Sequence, residues 1–141
     1  MNTESFIDPT EETVAALASR GIEGAVVMLN LLRLRAVADY SGHPALAPAS
    51  PISGREAYEL YVRHTLPFLR ESGGELLYLG EGGPFLIGPP GLGWDLAMLV
   101  RQDSVASFMR FASNQEYLAG IGHRVAAVAD SRILPLVDVP I

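Results

Sequence analysis

"VVMLNLLRLR", residues 26–35, is apolar on both of its alternating sides until its arginines, and it carries Asn30 in the middle. A stretch this short, β-branched at its start, reads as a strand. Apolar on both sides, it belongs in the centre of a sheet that is covered on both faces. Asn30 shares one side with Val26, Met28 and Leu32. An unpaired buried amide costs about 1–3 kcal/mol, so Asn30 needs a partner. That partner is either a backbone or side-chain group nearby or a ligand that the amide orients.

Working outward, "DPTEETVAALASRG" predicts a helix over about residues 10–20. Thr10 can cap it, with Thr13 in the place of a capping-box Glu, Glu11 and Glu12 suit the first turn, and Gly21 stops it. "AVADYSGHPALAPASPIS" has no sustained period and reads as a loop. "SGREAYELYVRHTLPFLRESGG" predicts a second helix. Ser53 and Glu56 stand at capping-box spacing, Tyr61, His64 and Phe68 share a stripe, and Pro67 should kink or tighten the last turn. "ELLYLGEGG" and "WDLAMLVRQ" read as strands around a Gly/Pro-rich excursion, with a short extended piece at Phe85–Ile87. Residues 103–130 predict a helix in two pieces meeting near Ser113–Asn114. "SRILPLVDVPI" predicts a terminal strand that Pro135 sends to an edge or a bulge.

The order is a helix followed by β-α-β-β-α-β, a split pair of βαβ units. It implies an α+β chain whose four-stranded antiparallel sheet carries both helices on one face. The other face would be bare and apolar, which a lone copy tolerates poorly. A homodimer packed sheet on sheet, burying about 2,000 Å² or more, is therefore expected. One domain is expected over residues 1–141.

Composition narrows the function classes. With a net charge of −6 there is no basic stripe for a nucleic-acid backbone. All ten basic residues are Arg and there is no Cys, so lysine Schiff bases, thiolate nucleophiles and cysteine metal sites are excluded. His43, His64 and His123 show no metal-ligand spacing, and neither glycine-rich segment matches a nucleotide-binding pattern. No metal and no cofactor is expected. The acidic start lacks a signal-peptide run and no segment has membrane-span length, so a cytoplasmic protein is expected.

The chain resembles the bacterial family labelled domain of unknown function 1330 (DUF1330), in the dimeric α/β-barrel superfamily of ferredoxin-like folds. The resemblance rests on "VVMLNLLRLR" followed by Ala38 and Tyr40, on "SGREAYELY", "WDLAMLV" and "FMRFASNQEY", and on "HRVAAVADSRIL". Where such sequences show Tyr-Pro-Ser after the third strand, this one has Arg101-Gln102-Asp103-Ser104. The resemblance implies a ferredoxin-like βαββαβ fold with an extra N-terminal helix, and a dimer. It implies no reaction, because that fold hosts enzymes and binding proteins alike.

Candidate site residues follow from chemistry. Without Cys or Lys, catalysis falls to His, Asp, Glu, Tyr or Arg. Asp95, after Trp94 at a strand start, is a candidate general base, or else an ion-pair partner of Arg33, Arg35 or Arg124. His123 is a candidate proton shuttle, or else a surface residue. Arg124 offers a planar fork to a carboxylate. Asn30, Arg124, Tyr61, His64 and Trp94 are the candidate substrate contacts. Two classes fit: a cofactor-independent enzyme acting on a small organic substrate, anionic or neutral, or a non-catalytic dimeric metabolite-binding or structural protein.

Overall fold

The computed structural model describes residues 4–141. Its central strand is Val26–Leu34 (β1), flanked by Gly93–Gln102 (β3) on one side and Val128–Leu136 (β4) on the other. Glu75–Pro84 (β2) lies outside β3, giving the antiparallel order β2-β3-β1-β4 of a ferredoxin-like sheet. Pro135 is placed where its missing N–H is tolerated, because β4 is an edge strand.

Burial along β1 alternates from Val26 to Arg33. Val26, Met28, Asn30 and Leu32 face the helices. They stand opposite Gln102, Val100, Met98 and Leu96 of β3. Leu32, Ala57, Tyr58, Leu96, Met98, Ala126, Ala127 and Val128 form the core between sheet and helices. Val27, Leu29 and Leu31 face the other way and are half-buried.

Glu11–Ser19 (α1) starts with a reciprocal cap. Thr13 N–H donates to Thr10 Oγ1 at 3.1 Å, and Thr10 N–H donates to Thr13 Oγ1 at 2.9 Å. None of its residues is buried. A strap tethers it: Phe6 N–H donates to Asp130 Oδ1 (2.9 Å), Ser131 N–H donates to Phe6 O (2.9 Å), and Arg20 donates to Pro135 O (2.8 Å).

Gly54–Glu71 (α2) opens with the expected Ser53–Glu56 box and continues through Pro67. At its first residue, Gly54 N–H donates to Arg35 O at 3.0 Å, while Arg35 N–H donates to Ala127 O at 2.8 Å. A Cβ on Gly54 would run into the Arg35 and Ala127 backbones, so the approach demands glycine.

Three expectations need correction. The last helical region forms three pieces, not two: Val105–Ala112 (α3), Gln115–Leu118 (α4) and Ile121–Ala127 (α5). Asn114 caps α4 through Oδ1, and Gly120 supplies a second break. β4 begins at Val128, directly off α5. The excursion after β2 is a bent connection over residues 85–92 with no extended piece at Phe85–Ile87.

Candidate functional site

A cavity of about 620 Å³ lies between the helix-side face of the sheet and the helices. That volume is in the range of small-molecule sites. Its floor is Met28, Asn30, Met98 and Val100. α2 contributes Tyr58, Tyr61, Thr65 and Leu69, and α3–α5 contribute Phe108, Phe111, Tyr117 and Arg124. α1 covers it with Thr13, Val14 and Leu17. The lining is overwhelmingly apolar, so its few polar groups decide what it can do.

Arg124 is the one buried cation among the described residues, 7% exposed. Nη1 donates to Ile7 O at 2.6 Å and Nη2 to Ser131 Oγ at 3.2 Å. No carboxylate of the described residues forms an ion pair with it. Asp8 lines the same cavity from an exposed position without pairing. A desolvated guanidinium facing an apolar cavity with donors to spare is a ready carboxylate anchor.

Asn30 donates from Nδ2 to Met28 O at 3.1 Å, and no described donor reaches its Oδ1. Tyr61 and Tyr117 share a hydroxyl hydrogen bond of 2.7 Å. Burial, followed by the neighbouring Tyr61, pushes the Tyr58 and Tyr117 phenols far above their ordinary range, so both stay neutral. Thr65 Oγ1 is buried and has no hydrogen-bond partner.

The structure thus brings Asn30, Tyr61 and Arg124 to one cavity and leaves the other candidates elsewhere. Asp95 is exposed. Its Oδ2 accepts from Leu34 N–H at 2.7 Å, and the arginines pair with Asp130 instead: Arg33 at 3.2 Å and Arg132 at 2.6 Å. Its neighbours Leu96 and Met98 occupy the helix-side register, which Asp95 does not share. Trp94 lies under the Arg33 guanidinium, 4.0 Å from ring centroid to Cζ, outside the cavity.

His123 is likewise outside the lining, with Nδ1 2.7 Å from Tyr40 OH. Burial, then the nearby His64, lowers its pKa below the usual imidazole value. His64 Nε2 lies 2.9 Å from Glu116 O and 3.2 Å from Tyr117 O, so Nε2 carries the proton that ties α2 to α4. That is a packing role beside the cavity.

Sequence reasoning passed over Tyr58, Thr65, Tyr117 and Ser131. Only Thr65 left a trace: a hydroxyl one turn past Tyr61 on an otherwise apolar stripe. A second, shallower groove of about 410 Å³ between α2 and β2 is ringed by Arg55, Arg63, Glu59 and Glu81. Its charges balance, and Arg55 already pairs with Glu81 at 3.3 Å. Among the described residues, no cluster of three acidic or histidine side chains could hold a metal, and no helix is long and apolar enough to cross a membrane.

Fold and cavity together define a ferredoxin-like α+β protein with a pocket between its sheet and helices. No family model matches the chain, and no curated protein matches it. Among solved structures it is similar to methylated RPA0582 protein, at 34% identity over 96% of each chain and a TM-score of 0.84. RPA0582, described as a protein of unknown function from Rhodopseudomonas palustris, also aligns at 34% identity over 97% of this chain and 99% of that one, with a TM-score of 0.83. The chain belongs to the family of this R. palustris protein. A more distant likeness is a dimeric protein of unknown function and ferredoxin-like fold from Bacteroides fragilis, at 13% identity, covering 79% and 94% of the two chains, with a TM-score of 0.48.

Proposed function

We propose that this protein binds a small, largely apolar carboxylic acid in the cavity between sheet and helices, with the carboxylate on Arg124. The observation that carries the reading is the buried Arg124 guanidinium, which lines the cavity without an ion-pair partner among the described residues. Burying a cation alone costs several kcal/mol, and an anionic ligand offsets that cost when it arrives. Asn30 and the tyrosine hydroxyls position the rest of the ligand. Binding is favoured over catalysis because His123 and Asp95, the expected acid–base pair, do not line the cavity.

The test is titration calorimetry with straight-chain acids from hexanoate to decanoate, beside the matching primary alcohols. Acids bind more tightly than alcohols, and Arg124→Met erases that preference. Acids that bind no better than alcohols, or an unaffected Arg124→Met, overturn the reading. Asp8→Asn, which removes a negative charge from the cavity edge, tightens acid binding.

The chain also acts, in this reading, as a cytoplasmic single-domain protein that pairs with a second copy through its open sheet face. It falls, on the sequence resemblance above, within the DUF1330 group. Support for pairing comes from the row Leu29, Leu31, Leu99 and Leu134, joined by Tyr78, on the side that no helix of the described residues covers.

A further inference from the structure

Thr65 occupies a place where a hydroxyl is a liability. It stands inside α2, 8% exposed, on the wall of the cavity. A threonine within a helix ordinarily returns its hydroxyl to the carbonyl one turn back. Thr65 does not, and its Oγ1 meets no other group either. Valine has the same shape and would fill the site without stranding a polar atom.

The neighbouring polar groups are also incompletely used. In the Tyr61–Tyr117 pair one hydroxyl donates to the other, so the accepting phenol keeps an unspent proton. Asn30 keeps an unused Oδ1. Thr65 lies one helical turn, about 6 Å, beyond Tyr61 along α2. Leu69, Val100 and Phe108 line the cavity with it, whereas Arg124 holds Ser131, which stands opposite Leu32. The cavity therefore has a charged pole at Arg124 and, at Thr65, a neutral hydrogen-bonding one, within a mostly apolar lining.

We infer, resting on the carboxylate reading above, that the ligand is a hydroxy- or oxo-carboxylic acid whose uncharged second polar group is met by the Thr65 hydroxyl. The neutral character of this pole sets the chemistry. A second carboxylate would face no cation there, and an amine would face no anion. A hydroxyl or carbonyl can both satisfy Thr65 and be satisfied by it. Thr65 is then the residue that separates such acids from plain alkanoates, because a site built to hydrogen-bond a polar group discriminates against the analogue lacking it.

The experiment is calorimetry of the full chain with the alkanoates from hexanoate to decanoate and their terminal-hydroxy counterparts. At the best-fitting length the hydroxy acid binds about fivefold more tightly than the alkanoate, the value of one hydrogen bond. Thr65→Val removes that preference and does not lower the melting temperature. Thr65→Ser keeps the preference. If alkanoates bind as tightly as every hydroxy counterpart, or if Thr65→Val retains the preference, the inference is wrong while the Arg124 reading stands. If no acid of either series binds, both are wrong.

Discussion

β1 presents two faces made from alternate residues of one strand, and they have opposite fates. Val26, Met28, Asn30 and Leu32 are each at most 8% exposed, beneath the helices. Val27, Leu29 and Leu31 are nearly as apolar and lie on the side that no helix of the described residues covers. Apolar content alone does not separate the faces. The state of their polar groups does. On the open side Arg33 and Arg132 share Asp130, and Arg101 pairs with Asp103 at 2.6 Å. On the helix side, among the described residues, Arg124 has no carboxylate and Thr65 has no partner. A face whose charges are already paired suits a like surface. A face with unspent donors suits a ligand.

The largest effect should come from charging the open face. In the proposed two-copy assembly, Leu29→Asp together with Leu31→Asp sets like charges against each other across a two-fold interface. Self-association weakens by at least roughly 1,000-fold, about 4 kcal/mol, while the monomer stays folded. Sedimentation equilibrium reads this out, and a wild-type chain that is already monomeric at micromolar concentration defeats the pairing. The matching change on the helix side is Leu32→Ala. Leu32 is fully buried, so truncation leaves a cavity and costs about 3 kcal/mol in denaturant unfolding. Equal losses from Leu32→Ala and Leu31→Ala in a dissociated monomer would erase the distinction between the faces.

Next comes Asp130, which organises the charged end of the open face. It accepts from Phe6 N–H, Ser131 N–H, Arg132 and Arg33. Its burial favours the neutral acid, but the hydrogen bonds from Phe6, Arg132 and Ser131 and the Arg132 charge outweigh that, so its pKa is lowered. A lowered carboxylate pKa contributes stability above the unfolded value, and that stability is lost as pH falls through the folded value. Asp130→Asn costs about 2 kcal/mol at neutral pH, less in strong acid, and loosens the strap that holds Phe6 and Ile7. An unfolding free energy unchanged from wild type at neutral pH would show the strap to be held by other contacts.

Much of this was legible in residues whose pattern is local. Apolar residues on both sides of the stretch 26–35 placed β1 at the sheet centre, and Ser53-x-x-Glu56 marked the start of α2. The break near Ser113–Asn114 was legible, but the second one, at Gly120, was hidden because the apolar period continues across it. The start of β4 was hidden too, since Ala126-Ala127-Val128 fits a helix end or a strand start equally. In the site, His123 and Arg124 are adjacent in sequence but about 100° apart around a helix, so only one can face the cavity. Asp95 turned on strand register, which its sequence neighbourhood does not determine. Thr65 was least legible, because whether a hydroxyl is satisfied depends on what the tertiary fold brings near it.

The smallest effect tests the Tyr40–His123 contact, which lies outside both the open face and the cavity. Burial and the neighbouring His64 hold the His123 pKa below 6.5, and burial raises that of Tyr40. At neutral pH the phenol therefore keeps its proton and donates it to the neutral Nδ1. The unfolded chain binds a proton on this imidazole below about pH 6.5, while the folded chain binds it only at lower pH. Stability from this group is thus complete above the unfolded pKa and declines as pH falls through the folded one. The ring is partly exposed, so the decline amounts to a few tenths of a kcal/mol after solvent screening. His123→Asn removes that part of the slope between about pH 7 and 5 and leaves carboxylate binding at Arg124 unchanged. Urea unfolding at the two ends of this range, paired with calorimetry at neutral pH, measures both. If His123→Asn instead abolished acid binding with the fold intact, His123 would belong to the ligand site, and the separation between cavity and supporting contacts would fail.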